Sequence, residues 1–185
     1  MIALLNDSQE RTVFLAIQVL GEMKDSTAVN PLREMAKNPN PVFRAAAAHS
    51  LGKIGSASVL PILEEALSDT SKEVRANAVT ALGALNNLAS LSKIYGMMRD
   101  PAPSVRAAAI QALYVFSALP EAGIKASDFQ GAVQDSFNVV RYVAAQALGK
   151  AYPDTVIATA LLFNLLDDQD ANVQVEAIRS LGKIH

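Results

Sequence analysis

One ten-residue phrase recurs six times along this chain, and repetition of that kind constrains the fold more tightly than any bulk property. The clearest copies are Val74-Arg75-Ala76-Asn77-Ala78-Val79-Thr80-Ala81-Leu82-Gly83 and Val105-Arg106-Ala107-Ala108-Ala109-Ile110-Gln111-Ala112-Leu113-Tyr114. Others run from Phe43 to Gly52, from Val140 to Gly149 and from Val173 to Gly182, and a degenerate first copy runs from Thr12 to Gly21. The anchoring leucines are Leu20, Leu51, Leu82, Leu113, Leu148 and Leu181, spaced by 31, 31, 31, 35 and 33 residues. An alanine stands four residues before each leucine. An Asp or Asn stands six residues before each Arg position: Asp7, Asn38, Asp69, Asp100, Asp135 and Asp168.

Each phrase reads as an amphipathic helix. In the second copy Phe43, Ala47, Leu51 and Ile54 share one face at helical spacing. A second helical stretch lies between phrases, as at 57–67 and 156–166, and the Asp or Asn marks the turn joining the two. Pro39, Pro41, Pro101 and Pro103 fall in these turns, where a missing N–H costs little. No segment alternates with period two. One helix pair of about thirty residues cannot bury both faces, but stacked pairs can. The expectation is an all-α solenoid, a right-handed α-α superhelix of five to six helix pairs forming one domain over 1–185. A partial first repeat covers about 1–23, and full repeats cover about 24–54, 55–85, 86–120, 121–151 and 152–185. The wider spacing before Leu148 reads as a longer loop around Ser117–Gly123. The glycine after each leucine reads as a close helix contact or an approaching helix end, with Tyr114 as the exception.

Composition removes several classes of function. There is no cysteine, hence no disulfide, thiolate metal site or thiol nucleophile. Sixteen basic and eighteen acidic residues give a formal charge of −2, without the basic excess that phosphate contacts demand of a nucleic-acid binder. No apolar run is long enough for a membrane span, and Asp7, Glu10 and Arg11 interrupt the N-terminus too early for a signal peptide. A cytoplasmic protein is expected.

The run Asp69…Val74-Arg75-x-x-Ala78-x-x-x-Leu82-Gly83, with its equivalents and with Pro31 and Pro61, resembles the HEAT repeat in its short bacterial and archaeal form, similar to that of phycobilin lyase subunits. The resemblance implies a hydrogen-bonded ladder joining neighbouring repeats, here through Asp69, Asp100 and Asp135 with Arg44, Arg75, Arg106 and Arg141. Asn38, Gln174 and Val13 depart from that pattern, so the ladder is expected to weaken at both ends.

Chemistry is sparse. The two histidines, His49 and His185, have no following Glu to form the His-Glu pairs by which some HEAT proteins hold iron. Asp168-Gln169-Asp170-Ala171-Asn172 opens like a calcium loop, but Val173 stands where Gly is needed and Arg179 where Glu is needed, leaving turn and capping duty. Ser50 lies on a different helix face from His49, so no nucleophile–base pair forms. No catalytic residue, metal or cofactor is expected, and the chain reads as a non-enzyme.

In this architecture the phrase helices line the concave surface. Their variable positions supply the candidate partner-binding residues Gln18, His49, Lys53, Asn77, Thr80, Gln111, Tyr142, Gln146, Lys150, Arg179 and Lys183. The position two after the Arg column (Leu15, Ala46, Asn77, Ala108, Val143, Glu176) reads as outward-facing too. The function this implies is a protein-interaction scaffold whose partner is a protein segment of acidic character. The alternative is an accessory subunit of a phycobilin lyase-like complex. Neither end carries a polar capping helix, so the expectation is either a segment of a longer chain or an end that docks on a partner, including end-to-end association. Met1–Leu5 reads as the tail of a helix.

Overall fold

The computed structural model describes residues 1–150 and 152–184. Within them ten α-helices and seven short 3-10 helices follow one another, and there is no strand. Helix α1 (Glu10–Glu22) comes first, after a 3-10 turn at Ile2–Asn6. Residues 2–5 are therefore wound in that tighter turn and are not the end of an α-helix. Three helix pairs follow: α2 (Val29–Met35) with α3 (Pro41–Ile54), α4 (Leu60–Ala66) with α5 (Lys72–Leu85), and α6 (Leu91–Met97) with α7 (Pro103–Phe116). Then come α8 (Asn138–Leu148) and the pair α9 (Thr155–Asn164) and α10 (Ala171–Ile184). The short first helix of a pair is called A below, and the long phrase helix B.

Local chemistry starts both kinds of helix. Asp25, Ser56 and Asn87 each accept the N–H two residues on, from Thr27, Ser58 and Ala89. These caps satisfy donors that a helix start leaves open and wind a 3-10 turn before α2, α4 and α6. The Asp or Asn column does the same before the B helices. Asp7, Asn38, Asp69, Asp100, Asp135 and Asp168 accept the N–H two residues on at 2.8–2.9 Å. This turn needs one side-chain oxygen, so Asn serves as well as Asp.

Where the residue is Asp and the preceding repeat carries the arginine, both carboxylate oxygens also serve the stack. Arg44 donates from Nε to Asp69 Oδ2 at 2.7 Å and from its Nη2 to Oδ1 at 2.8 Å. Arg75 grips Asp100 and Arg106 grips Asp135 in the same two-pronged way. Arg141 grips Asp168, which the three expected carboxylates did not include. Each guanidinium also donates backward to its own turn, as Arg75 does to the Asp69 carbonyl at 2.8 Å. The arginine thus ties its own turn to that of the next repeat. Arg44 holds the Asp69 carboxyl below its ordinary range against the opposing effect of burial. At Asp100 burial pushes upward most strongly, yet hydrogen bonds from Arg75 and the Ala102 N–H hold the group below its ordinary range.

Apolar packing runs through the same joints. Leu51, Leu82, Leu113 and Leu148 are fully buried, with Ala47, Ala78, Ala109 and Ala144 beside them. Successive B helices pack directly on one another, whereas successive A helices barely meet. The phrase glycines show why. A Cβ added at Gly52 would lie 2.5 Å from the Ala81 Cβ, and one at Gly83 would lie 2.6 Å from the Ala112 Cβ. Gly21 meets Ser50 and Gly149 meets Ser180 in the same way. These glycines mark close helix contact; Gly52 lies inside α3, which ends at a left-handed Gly55. Tyr114 cannot make that contact, and its ring turns outward, under the Lys150 ammonium at 5.0 Å from the centroid.

One repeat departs from the pattern. Between α7 and α8 no A helix forms. Three 3-10 turns, Pro120–Ala122, Ala126–Phe129 and Ala132–Gln134, take its place. The insertion therefore replaces a whole element and does more than lengthen a loop. Phe129 and Ala126 fill the core there, and Phe129 stacks at a tilt on Tyr152 with centroids 5.9 Å apart.

Candidate partner-binding surface

The B helices carry all the expected contact residues, with Lys150 just past the end of α8. Gln18 lies on α1, His49 and Lys53 on α3, Asn77 and Thr80 on α5, Gln111 on α7, Tyr142 and Gln146 on α8, and Arg179 and Lys183 on α10. Gln18, His49, Thr80, Gln111, Arg179 and Lys183 are exposed; the others are half-buried.

Three of them meet in one place. An open groove of about 400 Å³ crosses α1, α3 and α5. Phe14, Val42, Ala45 and Ala46 give it an apolar floor, and Gln18, His49, Asn77 and Glu73 stand at its rim. Phe14, Val42 and Ala45 lie outside the expected set, whereas Ala46 belongs to the column two after the arginine that reads as outward-facing. Phe14 and Ala45 belong to the column seven residues before the phrase glycine, and Val42 is an exposed valine beside a helix-starting proline. Burial first, and then the Lys53 ammonium, lowers the His49 pKa, while Glu22 pulls it the other way. Ser50, next to His49, is fully buried and donates to the Ile17 carbonyl at 2.9 Å, so it is committed to the helix joint.

Other expected residues are occupied within the molecule. Thr80 Oγ1 donates to the Ala76 carbonyl, and Asn77 Nδ2 to the Glu73 carbonyl, one turn back on the same helix. Lys53 is ion-paired with Glu22. Gln146 Nε2 reaches the Tyr142 hydroxyl at 3.3 Å. Lys150 reaches the Tyr114 carbonyl at 3.3 Å, and burial lowers its pKa. The column two after the arginine does not face outward throughout. Glu176 is only 3% exposed, and Ala46 and Val143 are 9% exposed. No described element follows α10, so the preceding repeat is what covers Glu176. Its side chain lies 3.5 Å from Arg179 Nη1 and 3.7 Å from Lys183 Nζ.

Among the described residues no three His, Cys, Asp or Glu side chains converge as a metal site, and no helix is long and apolar enough to cross a membrane.

The HEAT-repeat family model matches residues 1–72, 63–123 and 129–185. No curated protein matches the chain in sequence. Among solved structures, the chain is similar to YibA of E. coli, with 26% identity over 97% of this chain and 68% of that one, at a TM-score of 0.76. It is also similar to a designed armadillo repeat protein in complex with the peptide (KR)4, with 18% identity over 100% and 98% of the two chains, at a TM-score of 0.66. The CpcE–CpcF phycocyanin lyase of Nostoc aligns at 17% identity over 100% and 93%, with a TM-score of 0.49. With all but a few residues matched by the repeat model and the repeat joints built from its own Arg, Asp and Leu columns, this chain belongs to the HEAT-repeat family.

Proposed function

We propose that this protein is a non-catalytic scaffold that binds a protein segment on the face made by its B helices. The groove across α1, α3 and α5 carries the reading: an apolar floor with amide and imidazole groups around it suits a chain that seats one apolar side chain and hydrogen-bonds its own backbone nearby. The tight B-to-B contacts support this layer as the inner, concave side, because a ribbon bends toward its closer-packed face. The charge preference becomes secondary. Lys53, Arg179 and Lys183 already have acidic partners, so an apolar anchor does more than an acidic partner segment would.

The reading is tested by capture of partners from cell extract with the full chain. Ala45→Arg, which fills the groove floor, is expected to reduce capture at least about tenfold. Lys150→Glu with Arg179→Glu is expected to reduce it by less, and Lys37→Glu on the A-helix side to leave it unchanged. Capture indifferent to Ala45→Arg but lost with Lys37→Glu would place the surface on the other side. A coloured ligand that co-purifies with the chain would instead favour an accessory role in a lyase-like complex.

A further inference from the structure

The groove across α1, α3 and α5 has a counterpart further along the same face. A second depression, of about 360 Å³, lies between α8 and α10. Counted from the arginine position of each phrase, the two sites use the same columns. Val42 and Val139 stand two residues before that position, and both are exposed. Phe14 and Tyr142 stand one residue after it, and both are half-buried aromatic rings. Each site thus has an exposed valine and an aromatic ring as its apolar wall.

The walls carry charge of one sign. Glu73 lines the first site and Asp170 the second, and no described Lys or Arg lines either. His49 is neutral near pH 7, because burial above all holds its pKa below the ordinary 6.5. Neither carboxylate is engaged by a buried cation. Glu73 accepts the Ser71 hydroxyl, and the Lys72 ammonium stands 3.9 Å off with both side chains exposed. Asp170 accepts the Asn138 side-chain amide and the Asn172 N–H, both neutral donors.

Between the sites the face is low. The column that holds Phe14 and Tyr142 has Ala45, Ala76 and Ala107 on α3, α5 and α7. One turn further along their helices, Gln18 and Gln111 are exposed amides that can pair with a peptide backbone. Packed helices lie about 8–10 Å apart, so the steps from α3 to just beyond α8 span about 25–35 Å. An extended chain covers that in about eight to ten residues. A helical segment has its backbone bonds already made and would leave the two amides without a partner.

Resting on the reading of the B-helix face as the binding surface, we infer that this face takes one extended segment of a partner protein. The segment carries two apolar side chains about eight to ten residues apart, each beside a Lys or Arg. One apolar side chain sits against Phe14 and Val42 with its basic neighbour at Glu73. The other sits against Val139 and Tyr142 with its basic neighbour at Asp170. Each contact alone is weak, and one chain that joins both sites makes the binding specific.

The test is selection from a phage-displayed library of random peptides about sixteen residues long, with the full chain as target. Enriched peptides are expected to carry two large apolar residues about eight to ten apart, each next to Lys or Arg. A synthetic copy, followed by fluorescence anisotropy, is expected to bind at least about tenfold more weakly to Ala45→Arg and to Val139→Arg. Glu73→Gln with Asp170→Asn is expected to weaken it about fivefold and to remove most of its salt dependence. Val139 and Glu73 are exposed, and Asp170→Asn keeps the acceptor that caps the Asn172 N–H. An unchanged circular dichroism melt checks the fold of each variant. Response to only one of the two arginine variants overturns the inference, and if that one is Ala45→Arg the groove reading stands. Indifference to both overturns both readings. Peptides with a single anchor, with acidic neighbours or with anchors at helical spacing overturn the inference alone, as does a library from which nothing is enriched.

Discussion

A glycine within a helix costs up to about 1 kcal/mol against alanine, so a repeat column with glycine at five positions, four of them inside helices, needs a reason. Four have one that can be measured. Gly83→Ala puts a methyl 2.6 Å from the Ala112 Cβ and 3.0 Å from its Cα, and backbone cannot step aside as a flexible side chain does. The expected result is a loss of about 1–3 kcal/mol in urea unfolding, the cost of overpacking outweighing the gain in helix propensity. Gly182→Ala is the same substitution in the same column with open space around it, and it is expected to be neutral or slightly stabilising. Equal effects at the two sites would mean that the column reports on helix ends and not on helix contact. Tyr114 shows the other solution, in which the large side chain leaves the joint and the lysine of the next repeat covers its ring.

At the scale of elements, the segment 120–134 differs most from its neighbours. It lacks the cap, the spacing and the apolar period of an A helix, and its middle 3-10 turn is tied to Asp154 and Tyr95 from elsewhere in the chain. Asp154 accepts the Ala126 N–H at 2.8 Å and the Ser127 N–H at 3.1 Å from the far side of α8. Asp128 accepts both the Lys125 N–H and the Tyr95 hydroxyl, the latter at 2.7 Å. Burial and Asp128 push the Tyr95 pKa upward, so the phenol stays protonated and remains a donor. Asp154→Ala is expected to cost about 1–3 kcal/mol and to raise amide exchange first over 125–135, while α3 and α5 keep their protection. Uniform exchange across the chain would show that this segment folds with the rest. These bonds also mark where the sequence stops being readable. The B helices and the turn column follow from short-range patterns repeated six times, and most of the ladder from the family resemblance that those patterns carry. Asp168 escaped the ladder because its own repeat has Gln174 for Arg; its partner is the arginine of the repeat before. The groove floor escaped because Phe14 and Ala45 stand in a column whose side chain changes from repeat to repeat, and Val42 lies just before the phrase, so no recurring residue type marks the site. The turns at 120–134 depend on Asp154, Tyr95 and Phe129, which only the folded chain brings together.

At the scale of the whole molecule, a stack of repeats has no single centre, and its stability is close to a sum over units and joints. Four of the joints carry the same ion pair, so acid acts on all of them at once. Asp69, Asp100, Asp135 and Asp168 all have pKa values in the folded state below the ordinary aspartate value of 3.8. In a window below that value the unfolded chain binds protons that the folded chain does not, so stability falls as pH falls. The ladder's contribution is complete above the ordinary aspartate range and is lost as pH drops through the lowered folded values. His49 adds a smaller effect in a higher window. Its folded pKa lies below the ordinary 6.5, so the unfolded chain takes up that proton first, and stability declines from about that pH until the folded group also titrates. A melting temperature measured against pH is therefore expected to show two descending steps on acidification, a shallow one starting near neutrality and a steep one below about pH 4. His49→Gln should erase the shallow step alone. Arg75→Ala should lower the melting temperature at neutral pH and flatten the steep step, because Asp100 then has less to lose. A steep step unchanged by Arg75→Ala would assign acid sensitivity to carboxylates outside the ladder, and the joints would then rest on the leucine and glycine columns alone.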